Sequence, residues 1–271
     1  MSKEQRTKNN PFSSSLIQLG GCGVGLLVFQ HIDCEHPGSL RKCLAEDGVE
    51  WHAVNLHRGE AIPDLGGFDA LWVMGGPMDV WDIDDNPWLI AEKAAIRKWV
   101  LELEKPFLGL CLGHQLLADA CGGACAPQQP SEIGIMQVEL TPEGQQDPLF
   151  SGLTAIQKGL QWHSVQVSEV PEHTQVLASS PLCQIQAMRV GARAWSMQYH
   201  VEIEPDTVAN WAQVPAYHAA LMGTIGEQGY KEMNAAAEEH MDELMQCATT
   251  IYRNFMAQVC LGKEAKSVSA A

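Results

Sequence analysis

The sequence predicts an α/β protein: a mainly parallel central sheet with helices on both faces, followed by a C-terminal helical extension. Three observations carry this expectation. Short apolar runs, such as residues 24–30 and 70–73, alternate with helix-length segments, the pattern that right-handed crossovers turn into a covered parallel sheet. Two of the runs lead into glycine-marked turns, Gly75-Gly76-Pro77 and Gly109-Leu110-Cys111-Leu112-Gly113, and in such sheets the active site lies outside the strand carboxyl ends. From Pro205 onward the chain reads helical, with Met, Leu and Ala alternating with Glu and Asp.

The elements follow in order. Residues 1–22 are a polar, Gly/Ser-rich tail. The first strand spans 24–30, and after Pro37-Gly38 the Ser39 hydroxyl is placed to cap a helix that runs to Asp47 and stops at Gly48. Residues 50–56 and 70–73 are the second and third strands. Trp88, Leu89, Ile96, Val100 and Leu103 recur near helical spacing, which predicts a helix over 87–104. An apolar strand headed by Pro106 then runs to Cys111, and a helix-like segment continues from Gln115 to Cys121. Beyond Gly134 the pattern changes to short alternating runs, read as strands at 135–140, 174–179 and 194–199. Gly223, Gly226 and Gly229 read as breaks before a long helix over 230–258. The domain division is therefore a tail (1–22), an α/β domain (23–204) and a helical extension packed on it (205–271).

Composition narrows the function classes. With 271 residues, 46% hydrophobic and 18% charged, the chain suits a soluble globule with a full core. A formal net charge of −16 argues against nucleic acid or an anionic membrane as a partner. No apolar stretch approaches the roughly 20 residues of a transmembrane helix. Lys3, Arg6 and Lys8 precede an apolar region, and Leu19-Gly20-Gly21-Cys22 resembles a lipoprotein cleavage box, but Gln18 and the glycines interrupt any signal-peptide core. The nine cysteines, at 22, 34, 43, 111, 121, 125, 183, 247 and 260, show no zinc-finger spacing and read as reduced thiols in a cytoplasmic protein without a metal.

Cys111 is the candidate nucleophile. A thiol on a tight strand-to-helix turn is lifted out of the sheet, with the helix N-terminus behind it to favour the thiolate. A thiolate nucleophile needs a base held by a third group. In Trp195-Ser196-Met197-Gln198-Tyr199-His200-Val201-Glu202, an extended segment puts residues two apart on one face, so His200 and Glu202 can point to one site, and Glu204 can continue that face. Gly75-Gly76-Pro77 reads either as a plain tight turn or as backbone N–H groups facing a developing oxyanion beside the N–H of Leu112. His114 reads as a helix-start residue lining the pocket.

The ordered set Gly75-Gly76-Pro77, Gly109-x-Cys111-x-Gly113-x-Gln115 and His200-x-Glu202 resembles the class I glutamine amidotransferase domains, above all their stand-alone branch labelled after the amidotransferase domain of GMP synthase. Met74 to Met78, Glu132-Ile133-Gly134, Asp147-Pro148-Leu149-Phe150 and Gln161-Trp162-His163 extend the similarity, which runs from about Leu26 to Glu204. The resemblance implies a flavodoxin-like fold and hydrolysis of the side-chain amide of glutamine through a γ-glutamyl thioester. It makes Cys111 the nucleophile, His200 the general acid/base and Glu202 its orienter, with the Gly76 and Leu112 backbones as oxyanion hole. Gly75, Gln115 and the segment His163, Ser164 and Val165 would contact the substrate. It implies no cofactor and no metal. The family's usual Phe-His-Pro-Glu is replaced here by Tyr199-His200-Val201-Glu202, which keeps the two-residue spacing. The chain carries no phosphate-binding Gly-x-x-x-x-Gly-Lys loop, so released ammonia would need a separate acceptor or synthase protein. Two alternatives share these residues: a γ-glutamyl peptidase or hydrolase acting on glutathione-like or γ-glutamylamide compounds, and a non-catalytic binding or regulatory module.

Overall fold

The computed structural model describes residues 23–269, so the expectations for the 1–22 tail lie outside the described residues. The strands are β1 (Leu26–Gln30), β2 (Trp51–Asn55), β3 (Ala70–Val73), β4 (Phe107–Leu110), β5 (Ala124–Leu140), β6 (Ile156–Glu169), β7 (Thr174–Ser179), β8 (Ala187–Val190) and β9 (Ala194–Met197). The helices are α1 (Leu40–Glu46), α2 (Trp88–Arg97), α3 (Leu112–Ala120), α4 (Thr207–Trp211), α5 (Pro215–Thr224) and α6 (Gly226–Ser269).

All nine strands form one sheet in the order β2-β1-β3-β4-β9-β8-β7-β5-β6. The pairs from β2 to β9 are parallel, and every pair from β9 to β6 is antiparallel. This corrects the expectation of a mainly parallel sheet: the sheet is mixed. The cause lies in the connections. β7 and β8, and β8 and β9, are joined by loops too brief for the helical crossover a parallel pair needs, and the longer link from β5 to β6 carries only two short 3-10 turns, so the chain folds back alongside β5.

β1, β3 and β4 are buried along their whole length, as strands covered on both faces must be. One face packs against α2 and α3 through Leu89, Ile96, Leu116 and Leu117. The other packs against α1 and the stripe Ile251, Tyr252, Phe255 and Val259 of α6. Phe255 stands edge-on to Trp72 and Trp195, with ring centroids 6.1 Å apart in each pair. Each such side chain contributes about 1.5–3 kcal/mol on burial. A third apolar cluster joins α4, α5 and α6 to β5 and β6, with Trp162, Trp211 and Tyr217 at its centre.

Other local expectations change as well. The last turn of the α2 segment, Lys98–Glu102, widens into a π-helix. Ser39 makes no side-chain cap bond to α1; its backbone N–H instead donates to the Glu202 carbonyl at 2.7 Å. Gly229 lies inside α6 rather than breaking it, because α6 begins at Gly226 (φ +68°).

Candidate functional site

The β4–α3 elbow is a strained turn. Cys111 sits at φ 51° and ψ −103°, a region a side chain rarely adopts, between the end of β4 and the first turn of α3. Close packing enforces it: a Cβ on Gly113 would lie 2.1 Å from the Val73 carbonyl oxygen, and one on Gly109 would lie 2.5 Å from that of Gly113. The Cys111 N–H donates to the Met197 carbonyl at 2.8 Å, tying the elbow to the end of β9. The segment after β9 therefore passes beside the thiol.

His200 is pinned there by a reciprocal pair of backbone bonds with Leu160 of β6, at 2.9 and 3.1 Å. Its Nδ1 lies 2.7 Å from Glu202 Oε1, and the Cys111 sulfur is near enough to act on the ring electrostatically. Burial alone would push the imidazole pKa down; the Glu202 carboxylate, then the Cys111 sulfur, outweigh it and hold His200 well above its ordinary value. The second Glu202 oxygen accepts from the Val201 N–H at 2.9 Å, a bond that proline at this position could not donate. On the far side, Gly38 (φ +48°) lets the β1–α1 loop close on the Glu202 backbone, since a Cβ there would meet the Glu202 oxygen at 1.8 Å.

Cys111 opens onto a cavity of about 100 Å3. That is below the roughly 300–1,000 Å3 of drug-sized ligand pockets and suits an amino-acid side chain. Of the residues expected at the site, Gly76, Leu112, Gln115, His163, Ser164 and Val165 line the cavity with Cys111. Gly75, His200 and Glu202 lie outside its walls. Gln115 donates its amide to the Val165 carbonyl and to Gln198 Oε1, both at 3.2 Å. The His163 ring is held between the Val165 carbonyl (2.9 Å from Nδ1) and Glu132 (3.1 Å from Nε2). His114 does not line the cavity, correcting that expectation. It is buried beneath the elbow with Nδ1 2.8 Å from Ser196 Oγ and Nε2 3.1 Å from the Ile185 carbonyl, and burial lowers its pKa to about 3, so it stays neutral.

Several residues at the site were not expected. Gln198 Nε2 lies 3.6 Å from Cys111 Sγ, and the period-two rule that joins His200 to Glu202 also reaches back to 198. Trp211 stands edge-on to His200 with centroids 4.5 Å apart, and Tyr217 of α5 roofs the cavity. Tyr217 also donates to Oε1 of the buried Glu35, whose Oε2 has no partner among the described residues. Burial raises the Glu35 pKa. No local sequence signal marks these contacts, which join the loop after β1, α4 and α5 to the strand ends. Glu35, His200 and Glu202 present ligand atoms within 4.8 Å of one another. Two of the three, His200 and Glu202, are already joined to each other at 2.7 Å.

The described helices include none long and apolar enough to cross a membrane. A protein described as the glutamine amidotransferase-like protein YfeJ of Salmonella typhimurium is 26% identical over 233 residues, covering 79% of this chain and 94% of that one. One of the subunits of the GMP synthase [glutamine-hydrolyzing] of Methanothermobacter thermautotrophicus is 33% identical over 107 residues, and the match covers 39% of this chain and 56% of that relative's length. The crystal structure of a glutamine amidotransferase from Thermotoga maritima shares the fold with a TM-score of 0.77 at 23% identity, covering 86% of this chain and 98% of that one. The model of the class-I glutamine amidotransferase family matches residues 30–210, and this chain belongs to that family.

Proposed function

We propose that this protein hydrolyses the side-chain amide of glutamine through a γ-glutamyl thioester on Cys111. The observation that supports this most directly is the strained elbow thiol beside a buried His200 that Glu202 holds at 2.7 Å, at the edge of an amino-acid-sized cavity. The Cys111 sulfur attacks the amide carbon, and the oxygen takes up the charge facing the N–H groups of Gly76 and Leu112. His200 donates its proton to the departing nitrogen, which leaves as ammonia. Water then attacks the thioester with His200 as base, releasing glutamate and restoring the thiol. Gln115 and the 163–165 segment hold the amino-acid end.

The ammonia goes to a separate acceptor or synthase protein; the archaeal relative, itself one subunit of a glutamine-hydrolysing synthase, supports this reading. A reducing, cytoplasmic setting is consistent with the eight free thiols among the described residues. The test is ammonia release from glutamine by the parent protein and by Cys111→Ala. Turnover in the parent and none in the variant is expected; full turnover in Cys111→Ala would refute the assignment.

A further inference from the structure

We infer that His31, held by Glu92, is a positioning residue that sets the Gly76 N–H towards the cavity by gripping the Gly75 carbonyl. The inference rests on the oxyanion role proposed above for Gly76. His31 follows β1 directly, and its Nδ1 lies 2.8 Å from the Gly75 carbonyl oxygen. Its Nε2 lies 2.8 Å from Glu92 Oε1 on α2, and both side chains are fully buried. Trp88, one helical turn before Glu92, stacks on the ring with centroids 5.5 Å apart and planes 16° apart. The ring thus has no rotational freedom, and both nitrogens are engaged.

The consequence follows from peptide geometry. Among the described residues only Gln129-Pro130 is cis, so the Gly75–Gly76 peptide is trans and its C=O and N–H point to opposite sides. With the carbonyl on His31, which is not a wall of the cavity, the N–H is directed away from it, and Gly76 itself lines the cavity with Leu112 and Cys111. No backbone carbonyl among the described residues accepts from that N–H. Two adjacent glycines hold a peptide plane weakly, so an external grip is needed to keep one orientation. A charge-assisted bond at the carbonyl also polarises the same peptide and makes its N–H a better donor. Burial alone would push the His31 pKa down, but the Glu92 carboxylate, helped by the Gly75 carbonyl and Glu35, holds it above its ordinary value, so Nδ1 keeps the donated proton.

The arrangement also explains why a buried ion pair is tolerated here. An apolar pair of similar volume would fold as well, but it would leave the Gly75 carbonyl ungripped.

The experiment compares three readouts in the full chain with His31→Ala, Glu92→Ala and Glu92→Gln. Glutamine turnover needs the oxyanion hole, whereas alkylation of Cys111 by iodoacetamide needs only the reactive sulfur. His31→Ala is expected to lower kcat by about 10²-fold, the scale of one lost oxyanion donor, with KM and the alkylation rate within about twofold of the parent. Glu92→Ala should follow it, and Glu92→Gln, which can still hydrogen-bond Nε2, should recover part of the loss. If His31→Ala does not fold, the two Glu92 variants carry the same comparison. Unchanged kcat, or an equal slowing of alkylation, overturns the inference. The third readout is a crystal structure of a variant, in which a Gly75–Gly76 peptide that keeps its orientation also overturns it. A parent protein that releases no ammonia from glutamine counts against the proposed function, and the peptide orientation still decides this inference.

Discussion

Two buried His–Glu pairs flank the same glycine turn, and their difference underlies the two roles proposed for them, a proton carrier and a clamp. His200 and Glu202 are two residues apart on one extended segment, joined at 2.7 Å; His31 and Glu92 come from the end of β1 and from α2, joined at 2.8 Å across 61 positions. Both pairs are almost wholly removed from water. The difference lies in the remaining nitrogen. In the proposed mechanism His200 offers it to the Cys111 thiol, which can exchange a proton, whereas His31 turns it to a carbonyl, which accepts a hydrogen bond but gives no proton back. In the roles proposed, the same two side chains do different work according to what the second ring nitrogen meets.

The supports differ in kind as well. Glu202 is oriented by its own neighbours: Val201 donates to its carboxylate, and the β1–α1 loop closes on its carbonyl through Ser39. Glu92 is oriented by the helix that carries it and has one oxygen without a partner among the described residues. Burial there leaves a carboxylate dependent on His31.

Three perturbations would break or sharpen this contrast. The largest effect is expected from Glu202→Gln, which keeps the shape but removes the charge that raises the His200 pKa. Turnover should fall about 10²-fold or more. Because a raised pKa keeps the imidazolium up to higher pH, losing its main support should move the alkaline limb of kcat/KM to lower pH. A pH–rate profile with an unmoved alkaline limb would show that Glu202 does not tune His200. Next comes Gly38→Ala, which forces a side chain onto the Glu202 carbonyl at a positive φ. It should cost at least about 1–2 kcal/mol in thermal or denaturant unfolding and lower kcat, with His31 unaffected. The smallest effect is expected from Val201→Pro, which deletes one N–H bond to Glu202. A several-fold change in kcat is expected, within about 1.5 kcal/mol of transition-state stabilisation, and a loss as large as that of Glu202→Gln would mean that the backbone bond, not the charge, orients the pair.

Much of the parallel half was legible in the sequence. Its strands are continuous apolar runs, because burial on both faces leaves no polar alternation to confuse them, and glycines mark the turns at their ends. The 198–202 segment was legible for a related reason, since period two places alternate residues on one face. The antiparallel half was legible only in part: the 174–179 strand matches β7, and the 135–140 strand is the last part of β5, but β6 and β8 were not expected. β6 (Ile156–Glu169) mixes Gln157, Lys158, Gly159, Gln161 and His163 with its apolar residues, and several of those polar side chains are buried among partners that no local pattern names. β8 (Ala187–Val190) carries Arg189 between its apolar residues, so it lacks the continuous apolar run of β3 and β4. The parallel expectation failed at the boundary, where β9 pairs with β4 on one side and with β8 on the other.

By itself the sequence determined the elbow, the glycines that permit it, the His-x-Glu spacing and the family. Those features are local, encoded in backbone sterics and in the periodicity of adjacent residues. Only the tertiary structure decided that His114 is a neutral strut, that Tyr217 and Glu35 close over the site, and that His31 and Glu92 meet under the Gly75 carbonyl. Each of those facts depends on which distant side chains share a water-free space, and the packed fold alone brings them together.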